Sequence, residues 1–204
     1  MEHHACATPL RDPTTGWQPI IELATDEVVG HATGPPPPGG RWATAAATAL
    51  EAGDLDADGG APAIHVALLP SDLRRPYLIA SIGHLAPTLR SRIVFDLTDP
   101  EHLGPSSGAG GAITALRRLG VRFAVDAVDG WSNLRAVELV RPEVIRLAGR
   151  PGGAGGDRTA RWVLELARSI AATSLISGIQ VDDDRAWARA MGFDQAQGAR
   201  WLMP

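Results

Sequence analysis

The chain has 204 residues, 45% of them hydrophobic, which is enough for one sizeable core and too apolar for a disordered tail or a collagen-like rod. All 19 basic residues are Arg, and the absence of lysine excludes Schiff-base chemistry, a Walker-type phosphate lysine and a lysine general base. With 23 acidic residues the net charge is -4, which supplies no electrostatic footprint for duplex nucleic acid or an anionic membrane surface. The apolar content includes 33 Ala but only three Phe and one Tyr, so the core must be built from Val, Ile, Leu and the six Trp.

Residues 1–16 read as an extended or disordered start, with His3 and His4 as solvated side chains, and residues 17–204 as one domain with no internal repeat. Cys6 is the only cysteine, so neither a disulfide framework nor a cysteine-rich zinc site can form, and a reducing cytoplasm is the expected location. The opening residues lack the charged and apolar regions of a signal peptide, and no later stretch approaches the ~20 apolar residues of a membrane span.

In chain order, strand-length apolar runs occur at Trp17 to Leu23 and Val28 to His31, separated by only Ala24 to Glu27, which is too short for a parallel crossover and predicts a hairpin. A helical pattern follows at Arg41 to Ala52, then a strand at Ile64 to Leu69, a helix at Ser71 to Ile82 and a strand at Ile93 to Leu97. A helix at Gly111 to Leu119 precedes a strand at Val121 to Asp126, and a helix at Trp131 to Val140 precedes one at Val144 to Leu147. Asp157 is placed as an N-cap before a helix whose Trp162, Leu166 and Ile170 share one buried face with Val163 and Ala167. Strands at Ser174 to Ser177 and Gly192 to Gln195 flank a helix at Asp182 to Met191.

Eight strands with interposed helices and an antiparallel opening predict an α/β fold, a shortened (β/α)8 TIM-like barrel with an antiparallel first strand. The competing open α/β sheet would need a glycine-rich phosphate turn after its first strand to bind a nucleotide, and the chain has none. In a parallel barrel the reacting groups stand at the C-terminal strand ends: here Ala32, Ala67, Asp96, Asp126, Arg146 with Ala148, Ser177 with Gln180, and Gln197. Only Asp96 and Asp126 are carboxylates, so they are the one pair that could hold Mg2+ or Mn2+; no other metal site or cofactor is expected. Asp99 before Pro100 and Asp129 before Gly130 read as turn formers.

These segments resemble the EAL domain, the cyclic di-GMP phosphodiesterase module of bacterial signalling. QPIIELATDEVVGHA resembles the hairpin leading into the Glu-Ala-Leu signature, FDLTDP the Glu-Leu-Thr-Glu strand, and LRRLGVRFAVDAVDGWSNL the helix, strand and Asp-Asp-Phe-Gly loop. RPEVIRL resembles the strand ending in the family's lysine, LISGIQ the Ala-Glu-Gly-Val-Glu segment, and MGFDQAQGARWLMP the closing Gln-Gly segment. The resemblance implies a barrel with an antiparallel first strand. It also implies that the signature Glu falls on Ala32, its Leu on Gly34 and its phosphate-contacting Arg near Pro36, so that the signature reads HATGPP. The metal-binding Asn falls on Ala67, the strand Glu on Asp96, and the paired aspartates on Asp126 and Ala127. The lysine falls on Arg146 and two further glutamates on Ser177 and Gln180, while Gln18 and Gln197 are kept.

On that mapping most of the catalytic set is replaced, and the expectation is a degenerate, catalytically inactive EAL-like signalling protein that is not an enzyme. Its partner would be a regulatory protein or a second copy, with cyclic di-GMP not expected as a ligand. A non-hydrolysing cyclic di-GMP receptor and an active metal-dependent phosphodiesterase are the alternatives. Trp42, after the Pro35 to Pro38 run, and Trp131 are the candidate interface residues, each weighed against core packing. Asp126 and Arg146 should end adjacent strands, so the guanidinium could take the vacated cation position, pair with Asp126 and reach Asp96; the competing placement is an Arg146 that snorkels to solvent.

Overall fold

The structure is a computed structural model and describes residues 18–33, 62–103, 107–126, 134–150 and 156–201. Among these residues eight strands close a barrel: β1 (Gln18–Glu22), β2 (Val28–Ala32), β3 (Ala63–Leu68), β4 (Ile93–Leu97), β5 (Arg122–Asp126), β6 (Val144–Ala148), β7 (Thr173–Ser177) and β8 (Gln195–Gln197). β1 runs antiparallel to both β2 and β8, and every other neighbouring pair is parallel. This is the predicted shortened TIM-like barrel with an antiparallel first strand. The short Ala24 to Glu27 link dictates the hairpin, with Asp26 at a φ of 63° in its turn.

Helices cover the outside: α1 (Pro76–Gly83), α2 (Pro87–Arg90), α3 (Ala109–Arg118), α4 (Leu134–Val140), α5 (Gly156–Ser169) and α6 (Asp182–Met191). Strand alternation sorts the side chains into two cores. Ile64, Val66, Leu68, Phe95, Phe123, Val125, Ile145, Leu147 and Ile176 face outward and pack with Leu78, Ile82, Ile113, Leu116, Val137, Val163 and Ala167 of the helices. A small inner cluster, Ile20, Ala32, Val94, Ala124, Val144 and Leu175, fills the middle of the barrel. Phe95 and Phe123 stack at 6.2 Å between centroids, so two of the three Phe lie on adjacent strands at the centre of the outer core.

Four expectations need correction. The predicted Ser71 to Ile82 helix is a short 3-10 turn at Asp72–Arg74 followed by α1, because Pro76 lacks an N–H and starts a new helix at its first position. The last strand is Gln195–Gln197 rather than Gly192 to Gln195, since Gly192 takes a φ of 89° as the left-handed cap of α6. Asp157 lies inside the first turn of α5 and accepts from Trp187 Nε1 at 3.1 Å instead of capping the helix. Ile170 falls beyond α5 and is exposed, and Trp162 is half-buried against the outer core. The helix expected at Arg41 to Ala52, Trp17 and the 1–16 segment lie outside the described residues.

Candidate active site at the barrel mouth

Register brings the inward-facing residues to one level at the C-terminal ends of the strands. Ala67 pairs with Asp96, Asp126 with Arg146, and Ala148 with Ser177. They open on a cavity of about 500 Å³ lined by Gln18, Thr33, Ala67, Thr98, Asp99, Arg146, Ala148, Ser177 and Gln197, among others. The size falls within the range of small-molecule sites.

Arg146 does not snorkel. Its side chain is 14% exposed, and its guanidinium lies across both carboxylates. Nε donates to Asp126 Oδ1 at 2.5 Å, Nη2 to Asp126 Oδ2 at 2.9 Å, and Nη1 to Asp96 Oδ2 at 2.9 Å. The planar fork of Arg matches a carboxylate edge in this way; a lysine could offer only a point charge. The other Asp96 oxygen, Oδ1, is 2.8 Å from Nδ1 of His65. His65 and Asp96 are both deeply buried, with side-chain exposures of 4% and 3%. The result is a continuous chain, His65–Asp96–Arg146–Asp126, across β3, β4, β6 and β5.

Electrostatics follow from this arrangement. Burial alone would raise the Asp96 carboxyl, but the neighbouring His65 and Arg146 outweigh it and hold the group below its ordinary value. Burial pushes Asp126 above its ordinary value despite the bonds from Arg146, with Asp96 and Asp99 adding repulsion. Arg146 is raised, because its two carboxylate partners outweigh the burial that would lower it. The guanidinium is permanently charged and cannot serve as a proton-transfer group.

Apart from Asp99, the polar residues that remain on the mouth lining are uncharged. Gln197 Nε2 donates to Gln18 Oε1 at 2.9 Å, joining β8 to β1, while Gln197 Oε1 is buried without a partner among the described residues. Thr33 continues from β2: its N–H donates to His65 O at 2.9 Å and its Oγ1 accepts from Ala67 N at 3.2 Å. Ser177 Oγ donates to Leu147 O at 3.4 Å and so turns back toward the sheet.

Of the sequence-selected positions, Ala32 is buried at the end of β2 inside the barrel, and Ala67, Arg146, Ser177 and Gln197 line the mouth. Asp96 and Asp126 lie beneath Arg146. Gln180 is exposed on the turn before α6, off the cavity lining. Asp99 has a φ of 51° and opens the 3-10 turn Pro100–His102, as its turn reading requires, while lining the mouth. Ala127, Asp129, Trp42 and Trp131 lie outside the described residues. No motif singles out His65; its signal is the alternation of β3, where Ala63, His65 and Ala67 share the face opposite Ile64, Val66 and Leu68.

A family model described as the EAL domain matches residues 39–204, which leaves the β1–β2 hairpin to be aligned by the fold. The chain belongs to the EAL domain family. Its barrel is similar to the EAL domain of Mycobacterium smegmatis DcpA, with a TM-score of 0.75 and 19% identity over 100% of this chain and 92% of that one. It is also similar to a standalone EAL protein of Vibrio cholerae O395 in its c-di-GMP-bound form, with a TM-score of 0.72 and 16% identity over 97% and 94% of the two chains. The PaMucR phosphodiesterase in complex with c-di-GMP has a TM-score of 0.69 and 14% identity, covering 92% of this chain and 89% of its own. No curated protein matches the chain.

These findings correct two expectations. The expectation that the chain is not an enzyme is overturned by the family match together with a neighbour named as a phosphodiesterase, which point to an enzyme family. The exclusion of cyclic di-GMP as a ligand likewise conflicts with neighbours solved in complex with it.

The family's ion must be weighed against the donors present. Among the described residues no group of three or more His, Cys, Asp or Glu could hold a metal ion. Ala32 and Ala67 offer no side-chain oxygen, and Asp96 and Asp126 are both engaged by one guanidinium. A divalent cation needs several oxygens free to turn toward it, and this set does not fit one while Arg146 is in place.

Proposed function

We propose that the chain is a regulatory EAL domain of cyclic di-GMP signalling that transmits through contact with a partner protein or with a second copy of itself. The observation that carries this reading is the Arg146 guanidinium spanning Asp96 and Asp126. A cation supplied by the chain neutralises the two carboxylates and holds the barrel ends together, so the mouth is organised without a bound ion. What such a domain offers a pathway is a preformed surface. Among the described residues no helix is long and apolar enough to cross a membrane.

A second reading, recognition of cyclic di-GMP at the mouth in either a receptor form without turnover or a phosphodiesterase form with it, is favoured by the cavity of about 500 Å³ and by Gln197 Oε1, an acceptor with no partner among the described residues. On this reading the buried acceptor would take a donor from the ligand, and Arg146 would have to swing away from Asp96 and Asp126 before an ion could approach them.

Calorimetric titration with cyclic di-GMP, with and without Mg2+ or Mn2+, followed by chromatography of the mixture, separates the readings. The regulatory reading expects a titration that Mg2+ or Mn2+ leaves unchanged, because Arg146 keeps the ion from Asp96 and Asp126; a metal-dependent signal contradicts it. Heat without product supports the receptor form of the second reading. Linear dinucleotide supports the phosphodiesterase form.

A further inference from the structure

A second cavity, of about 420 Å³, lies at the opposite end of the barrel, lined by Ile20, Val29, Ala63, His65, Val94, Arg122, Glu143, Val144, Thr173 and Gln195. Arg122, Val144, Thr173 and Gln195 are the first residues of β5, β6, β7 and β8, which places the cavity at the N-terminal ends of the parallel strands. This end of the fold is normally given to stability and not to chemistry. A cavity of this size has room for several waters, and its charge pattern is uneven.

Arg122 is the cation on this lining, and its Nε is sealed from solvent without an acceptor among the described residues. A guanidinium donor left unmatched inside a fold is costly unless something else completes it. The nearest carboxylate on the lining is committed elsewhere. Glu143 is bonded to Arg117 through both oxygens and accepts from Phe123 N at 2.9 Å. His65 is likewise held through Nδ1 by Asp96. Glu22 is paired in register with Gln195 across β1 and β8 and lies outside the lining. What is left on the lining is Arg122, whose guanidinium has no ion pair or hydrogen bond among the described residues, with Thr173, Gln195 and an apolar wall of Ile20, Val29, Ala63, Val94 and Val144.

We propose that this lower cavity binds a small organic oxyanion, a carboxylate or phosphate ester with a compact apolar body, whose charged head is held by Arg122 and hydrogen-bonded by Thr173. The fork of Arg122 suits two oxygens of one head group, and the apolar wall accepts a body of a few carbons. The site is separate from the mouth and does not depend on the function proposed for it.

The test is thermal unfolding of the full chain in chloride buffer, against isobutyrate or inorganic phosphate at matched ionic strength. Binding in the millimolar range raises the melting temperature by about 3 °C at tens of millimolar anion. The shift should vanish in Arg122→Gln, and whichever anion gives the larger shift identifies the head group. No shift with either anion, or a shift that survives in Arg122→Gln, overturns the site. Should Arg122→Gln fail to fold, Thr173→Val decides by calorimetry with the same anions: affinity about tenfold weaker supports the site, and unchanged affinity overturns it.

Discussion

Arg146 carries the heaviest electrostatic role of any residue described, because it is the one cation between two buried carboxylates. Arg146→Ala strips Asp96 and Asp126 of the guanidinium that bridges them, and removing one side of a buried pair costs about 3 to 5 kcal/mol. Urea unfolding should therefore show a loss of that size, with Arg146→Lys recovering only part of it because an ammonium cannot span both carboxylates. Freeing the carboxylates also makes a metal prediction. Millimolar Mn2+ should leave the melting temperature of the wild type unchanged within about 1 °C and raise that of Arg146→Ala, since only the variant offers oxygens to the ion.

His31 gives a second prediction at this scale. It is buried on β2 with Nε2 unpartnered among the described residues, and burial, helped by Arg92, lowers its pKa below the ordinary histidine value of 6.5. A histidine that must stay neutral in the fold takes up its proton first in the unfolded chain. Its contribution is therefore whole above about pH 6.5 and lost as the pH falls below that value. His31→Leu should shrink the drop in urea midpoint between about pH 7.5 and pH 5, and an unchanged drop would show that the acid sensitivity lies elsewhere.

At the scale of elements, the closure of the barrel depends on how β8 is laid against the segment after β7. A Cβ built on Gly198 would come within 2.0 Å of Ile179 O and 2.5 Å of Ile179 N, both backbone atoms that no rotamer change can move. Ile179 is tied to the chain on either side of Gly198, with Ile179 N donating to Gln197 O at 3.1 Å and Arg200 N donating to Ile179 O at 3.1 Å. Gly198→Ala should thus cost about 2 kcal/mol or more, read as a lowered melting temperature, by forcing two backbones apart. By contrast, Asp26, which bridges the β1–β2 turn to Arg185 and Arg189 of α6, is half exposed. Asp26→Ala should change stability by less than about 1 kcal/mol.

The elements also show what the sequence makes legible. Period-two alternation in β3 to β7 is strong because each strand puts Ile, Val, Leu or Phe outward against a helix. The short link between β1 and β2 admits no geometry but a hairpin. β8 is misplaced because it is three residues long and polar at both ends, Gln195 and Gln197, so its apolar signal sits upstream in Phe193, which packs against α6 instead. The Ser71 to Ile82 pattern is helical in spacing, but Pro76 has no N–H to donate and so sets where the helix begins.

For the molecule as a whole, strand order and register place Asp96, Asp126 and Arg146 together, as a reading of strand ends in chain order already anticipates. His65 and the lower cavity are not anticipated, because both depend on which residues face the inside of a closed sheet, and that is set by the barrel rather than by any local run. The scarcity of aromatics noted in the composition has a consequence here too. Small side chains such as Ala32, Ala124 and Ala63 line the interior and leave space at both ends of the barrel. Lysine-free composition and barrel chemistry meet at Arg146.

The Arg146 guanidinium is energetically coupled to the carboxylates beneath it. A double-mutant cycle in urea, using Arg146→Ala, Asp126→Asn and the pair together, measures that coupling directly. The geometry predicts an interaction energy of about 2 kcal/mol or more, the double variant being more stable than the sum of the single losses implies. A coupling energy within about 0.5 kcal/mol of zero would contradict it.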